Sequence, residues 1–303
     1  MNAFCDPRMK AEHPTWGDFE PKAAAQAFGD LTAYLGKPLQ AIAKEFWCLH
    51  DGVDAQAQAK AAQARDETTV MEYYQQTPVY LYELSYWEAC HDKQGWFRVL
   101  AKASRTFGLT QLLDYGGGVG GVSLFLHARG ISCDYVDIAG PTFDYAAWRF
   151  ARQGLQVQMF NILEGWPSAG RYDAVVAWDV LEHVFDLEGT IANIGKLLKP
   201  GGWLLDKSTF GDTHDTTHVH LAKHAPYQDV ARLNAMVSRY GFRYGGQLKP
   251  DGLSRLLRSV GMRTAVSGVK ISPRVKHGGN FLIHERVKDF AEGKSGGVPR
   301  GTD

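Results

Sequence analysis

Residues 111–121, Gln111-Leu112-Leu113-Asp114-Tyr115-Gly116-Gly117-Gly118-Val119-Gly120-Gly121, run from an apolar, strand-like segment straight into a glycine-rich turn. The turn fits G-x-G-x-G through Gly116, Gly118 and Gly120, and equally G-x-G-x-x-G through Gly116, Gly118 and Gly121. Both patterns require glycine for one reason: a side chain there blocks the close approach of the backbone to a bound nucleoside. The loop by itself does not choose between nucleoside cofactors.

Downstream of the turn, apolar runs alternate with helical segments, which is the pattern of a parallel α/β sheet. Gly121 to Arg129 reads as a helix that Gly130 ends in a left-handed cap. ISCDYVDI (131–138) is a second strand, and Phe143 to Gln153 a second helix. LQVQMFNI (155–162) is a third strand and YDAVVAWDV (172–180) a fourth. Leu187, Ile191, Ile194 and Leu198 share one face of a helix that stops at Lys199-Pro200-Gly201-Gly202, and WLLDKSTF (203–210) is a fifth strand. Beyond it the reading gives a helix over Ala225–Tyr240, another over Asp251–Val260, a strand at Arg263–Val269 and a last strand in HGGNFLIHER (277–286).

Upstream, residues 21–108 read as helical throughout, because Ala- and Gln-rich stretches favour helix and no β-run interrupts them. Eight aromatic residues, Tyr73, Tyr74, Tyr80, Tyr82, Tyr86, Trp87, Trp96 and Phe97, crowd into this part. They read as core or interface packing, or more sharply as a helical lid that gives an organic substrate an aromatic wall. The expected organisation is a flexible arm (1–20), a helical cap or substrate domain (21–108), a Rossmann-like domain (109–287) and a disordered tail (288–303).

The composition narrows the function. Thirty-three basic and 33 acidic residues give a formal net charge of zero, so no global field attracts nucleic acid or an anionic membrane. The first residues, MNAFCDPRMKAEHP, have no apolar signal core, and no later run approaches the roughly 18 apolar residues of a membrane span, so a cytoplasmic protein is expected. Cys5, Cys48, Cys90 and Cys133 form no C-x-x-C pair, which leaves buried, reduced thiols as the default.

Three further features bear on the cofactor. Asp114 ends the strand before the turn, where a carboxylate repels a pyrophosphate but can hold the ammonium group of a methionine moiety, usually through water. Asp137 ends the next strand, where a carboxylate accepts both ribose hydroxyls of any nucleoside. The stretch Trp178-Asp179-Val180-Leu181-Glu182-His183-Val184 has no role in the dinucleotide pattern. The succession LLDYGGGVGG, DYVDI, FNILEGWP, YDAVVAWDVLEHV and LLKPGGWLL resembles the class I S-adenosylmethionine-dependent methyltransferases, in particular the small-molecule branch with the ubiquinone-biosynthesis O-methyltransferases.

That resemblance, running from about Leu112 to Leu205, implies a seven-stranded, mostly parallel sheet with one antiparallel edge strand, supplied by HGGNFLIHER. It implies that Gly116, Gly118 and Gly120 line the methionine part of the cofactor and that Asp114 serves its amino group. Asp137 would hold the ribose, and Ile138 would pack near the adenine. Asn161 and Ile162 stand at the adenine edge, where Asn161 replaces the family's usual acid, and Asp179 and Val180 lie beside the sulfonium.

For the chemistry, histidines are the candidates. His183 follows the fourth strand, and His214 and His218 follow the fifth, each a possible general base or pocket-shaping group. A metal reading exists as well. His218-x-His220 can present two imidazoles on one face, and some related O-methyltransferases use a divalent ion near an acid–histidine pair like Glu182-His183. HVH at this place also resembles a pattern of methyltransferases that bind no metal, and no metal is expected. The expected partner is a small-molecule methyl acceptor. The rival readings are a non-catalytic binding or scaffold protein and a nicotinamide-dependent oxidoreductase using G-x-G-x-x-G.

Overall fold

The computed structural model describes residues 18–49, 55–211, 219–248 and 281–288 of the 303-residue chain. The helix expected at 251–260, the strand expected at 263–269 and the tail from 289 lie outside the described residues, as do residues 1–17.

Among the described residues, six helices come first: α1 (Pro21–Leu35), α2 (Leu39–Cys48), α3 (Ala55–Ala62), α4 (Glu67–Gln76), α5 (Val79–Ala89) and α6 (His91–Thr106). Local chemistry sets several starts. The Glu20 side chain accepts from Ala23 N at 2.7 Å, and Asp66 accepts from Thr69 N at 2.9 Å, each satisfying an amide that the first helical turn leaves unpaired. Asp18–Glu20, assigned by sequence to the loose arm, is tied down: Glu20 N donates to Ala89 O and His91 N to Asp18 O, both at 2.9 Å.

The sheet has seven strands: β1 (Gln111–Tyr115), β2 (Ser132–Asp137), β3 (Met159–Asn161), β4 (Tyr172–Trp178), β5 (Leu198–Lys207), β6 (Phe242–Leu248) and β7 (Phe281–Arg286). Their spatial order is β3-β2-β1-β4-β5-β7-β6. The first five pair in parallel, and β7 runs antiparallel to both β5 and β6. The antiparallel strand from HGGNFLIHER therefore lies inside the sheet, and the edge belongs to β6, which the sequence reading leaves unassigned. β5 also starts earlier than expected: Leu198 already pairs with Tyr172, and an irregular register absorbs the Pro200-Gly201-Gly202 step.

Among the described residues, four more helices cover the sheet: α7 (Gly121–His127), α8 (Pro141–Arg152), α9 (Leu187–Leu197) and α10 (Val230–Ser238), with a 3-10 turn at Ala222–Gln228. Alternation along the strands makes two cores. Leu112, Cys133, Val176, Leu205 and Ile283 pack against α6 and α7 on one face. Leu113, Val175, Leu204 and Leu282 pack against α9 and α10 on the other. By packing, α6 belongs to the sheet, although the sequence reading puts it with the helical cap. The cluster of α1, α2 and α5 reaches the rest of the molecule through Val119 of the glycine turn and Tyr145 of α8. No helix among the described residues is long and apolar enough to cross a membrane.

Candidate active site

The carboxyl ends of β1, β2, β4 and β5 open on one side of the sheet, where open α/β sheets hold their ligands. A cavity of about 590 Å³ lies there, a volume typical of small-molecule sites. Gly116 and Gly118 line it, with φ of +66° and +52°. A β-carbon on Gly116 would drive into the Val180 side chain, so both the conformation and the space exclude other residues.

Gly120 caps α7 and does not line the cavity; a β-carbon there would sit 2.7 Å from the Phe150 ring. Asp114 also lies behind the wall. It is 2% exposed, and its Oδ2 accepts from Ser123 N at 3.3 Å and Ser123 Oγ at 3.2 Å. Burial pushes its carboxyl up to about 7.

Asp137, Ile138 and Ile162 line the cavity. Asp137 Oδ2 accepts from Gly118 N at 2.6 Å and from Tyr135 O–H at 3.3 Å, and Oδ1 accepts from Ile138 N at 2.7 Å. These bonds fix the acid against the glycine turn and partly offset the upward push of burial. Asn161 is not in the wall. Its Oδ1 accepts from Ala139 N and Leu163 N, each at 3.2 Å, and its Nδ2 donates to Glu164, so it shapes the two loops beside the cavity.

The end of β4 supplies Trp178, Asp179, Val180, Glu182 and His183 to the same wall. Asp179 has φ +52°, the only positive value for a non-glycine among the described residues, a conformation aspartate tolerates better than most. Glu182 is 2% exposed; Oε1 accepts from Thr209 N at 2.6 Å, while Oε2 has no hydrogen-bond partner among the described residues. Burial, reinforced by the nearby Asp179 charge, pushes Glu182 up to about 7. His183 Nδ1 lies 2.8 Å from Val219 O. A carbonyl only accepts, so Nδ1 carries the proton and, in the neutral ring, Nε2 is the basic atom.

His214 and His218 lie outside the described residues. His220 reaches the wall, its ring 5.0 Å from that of His183. Glu182, His183 and His220 offer ligand atoms that all lie within 4.8 Å of one another, a set able to hold a divalent ion.

The opposite wall comes from the N-terminal helices. Tyr74, Tyr80, Leu84, Trp87, Lys93 and Trp96 line it, and the Tyr74 ring lies 6.2 Å from that of His183. Tyr73, Tyr82, Tyr86 and Phe97 are packed into cores instead, so the aromatic crowd divides between wall and packing. Glu182 and His220, which the sequence raises only as possible metal ligands, are wall residues, and so are Lys93 and Lys207, which it does not raise. The two lysines gave no signal, because a single lysine on a helix or at a strand end is usually solvated.

Residues 69–244, more than half of the chain, match the family model described as a methyltransferase domain. The ubiquinone biosynthesis O-methyltransferase of Nitrosomonas europaea is 27% identical over 169 residues, which are 54% of this chain and 69% of that protein. A squalestatin tetraketide synthase of Cochliobolus lunatus is 34% identical over 120 residues, 35% of this chain but only 5% of that much longer protein. Among solved structures, the 1,6-didemethyltoxoflavin-N1-methyltransferase of Burkholderia thailandensis aligns with a TM-score of 0.42 at 14% identity, covering 63% of this chain and 77% of that one. With the family model spanning most of the described sheet, the chain belongs to the class I S-adenosylmethionine-dependent methyltransferases.

Proposed function

We propose that the chain moves a methyl group from S-adenosylmethionine to an oxygen or nitrogen atom of a small or medium-sized organic acceptor. One observation carries this reading: a single cavity joins the glycine turn and Asp137 to His183 and the aromatic helical wall. Cofactor and acceptor can therefore meet in one partly enclosed space. The name of the Nitrosomonas relative favours oxygen as the acceptor atom.

The residues present fit the cofactor. Asp137 has acceptor capacity for the ribose hydroxyls, Ile138 and Ile162 offer an apolar slot for the adenine, and Gly116, Gly118, Asp179 and Val180 border the methionyl and sulfonium end. Asp114, Gly120 and Asn161 act from behind, by holding the turn and its neighbouring loops. When bound, S-adenosylmethionine supplies a methyl carbon already activated by its positive sulfur. The protein then has to align the nucleophile, exclude water and take up a proton. His183 Nε2 takes that proton, with the ring oriented by Val219 O. His214 and His218 are rival bases from the segment after β5.

Calorimetric titration with S-adenosylmethionine and S-adenosylhomocysteine tests the reading. Micromolar binding is expected, weakened by about 2 kcal/mol, roughly 30-fold, in Asp137→Ala. In a screen of phenols and amines, His183→Ala should then lower turnover by about 10²–10⁴. An intact, folded protein that binds neither nucleoside would overturn the cofactor assignment.

A further inference from the structure

Two ammonium groups share one indole in the cavity wall. Lys93 Nζ lies 3.6 Å from the centroid of the Trp178 ring. Lys207 Nζ lies 5.6 Å from the same ring and 5.7 Å from the Trp96 ring. Lys93 comes from α6, and Lys207 is the last residue of β5, paired in register with Trp178. Among the described residues, no other lysine and no arginine lines the cavity.

Asp179 Oδ2 stands 3.5 Å from Lys93 Nζ, a loose pairing, and Lys207 makes no salt bridge among the described residues. Asp92, next to Lys93 at the rim, is exposed and makes no salt bridge among the described residues. An indole face attracts a cation but does not neutralise it. Two like charges in a wall partly shielded from water therefore repel each other unless an anion joins them.

We propose that Lys93 and Lys207 form a carboxylate subsite of the cavity. Carboxylate chemistry suits the arrangement, because two oxygens can bridge two ammonium groups. The carboxylate has two possible sources. One is the methionyl end of the cofactor, which the function proposed above puts beside Asp179, and this source rests on that reading. The other is an acid group on the methyl acceptor.

Calorimetry on the full chain separates them, using Lys93→Met and Lys207→Met, which keep most of the side-chain volume. The probes are S-adenosylhomocysteine, 5′-methylthioadenosine, which lacks the amino-acid part, and benzoate added to protein saturated with S-adenosylhomocysteine. Binding of S-adenosylhomocysteine weakened about 10-fold or more, with methylthioadenosine unchanged, assigns the subsite to the cofactor. Unchanged nucleoside binding, with benzoate taken by the wild type and lost in the variants, assigns it to the acceptor. The proposal is overturned if S-adenosylhomocysteine binding is unchanged and benzoate does not distinguish wild type from variants. Equal losses for both nucleosides also overturn it, because they mean general damage to the wall. A wild type that binds neither nucleoside breaks the methyltransferase reading instead, and benzoate titration of the free protein still reads the subsite.

Discussion

Asp137 is the last residue of β2, whereas Asp114, expected to end β1, is followed in that strand by Tyr115, and the two acids meet different surroundings. Asp137 faces the cavity and receives three hydrogen bonds; Asp114 is sealed behind the turn with Ser123 as its donor. The acids themselves were legible in the sequence, because each ends an apolar run. Their depth was not, since it depends on where α7 brings Ser123. The difference has a measurable consequence. Asp114 is raised from an ordinary value near 3.9 to about 7, so the folded state holds its proton more tightly than the unfolded chain does. Its favourable contribution is fully present below the unfolded value and is lost as the pH rises through about 7. The melting temperature of the free protein should therefore fall between pH 5 and pH 8. Asp114→Asn, which keeps an acceptor for Ser123, should flatten that fall in thermal melts across the range. An identical pH slope in the variant would remove Asp114 as the cause.

Among the elements, β1, β2 and β4 were readable because each is a short apolar run closed by a turn signal. β6 was not. Its sequence, FRYGGQL, has two central glycines and an irregular register at Tyr244/Gly246, and only pairing with the distant β7 makes it a strand. The same long-range pairing puts β7 inside the sheet, which no local pattern reports. The link between α1, α5 and α8 was equally hidden. Arg149 of α8 is fully buried; it bonds Glu88 of α5 through both terminal nitrogens at 2.7 Å, Asp30 of α1 at 3.2 Å and Val119 O of the glycine turn at 2.8 Å. Removing the guanidinium strands the buried Glu88 carboxylate and leaves Asp30 with Arg152, whose Nε lies 3.4 Å from Asp30 Oδ1. Arg149→Met should cost about 3–5 kcal/mol in urea unfolding, and adding Glu88→Leu should recover part of that. It should also weaken S-adenosylhomocysteine binding, because the turn loses a support. A loss below about 1 kcal/mol would show the network to be dispensable.

At the scale of the whole molecule, the cavity is built by two layers that the sequence reading treats as separate domains. α4, α5 and α6 form one wall and the strand ends the other. α6 is part of the sheet's own core, and the cluster of α1, α2 and α5 is continuous with the glycine turn through Val119. A ligand in the cavity therefore touches both layers and has no binding site once either is lost. It follows that the layers should unfold together and that a ligand should stabilise them together. Saturation with S-adenosylhomocysteine at about 100 times its Kd adds about 2.7 kcal/mol to the folded state, which for a chain of this size raises the melting temperature by roughly 5 °C. Scanning calorimetry should show one transition, displaced as a unit by the ligand. Two transitions, with only the later one moved, would mean that the N-terminal helices detach before the site is lost. Their part in the cavity wall would then be optional, and the aromatic wall would have to be sought elsewhere.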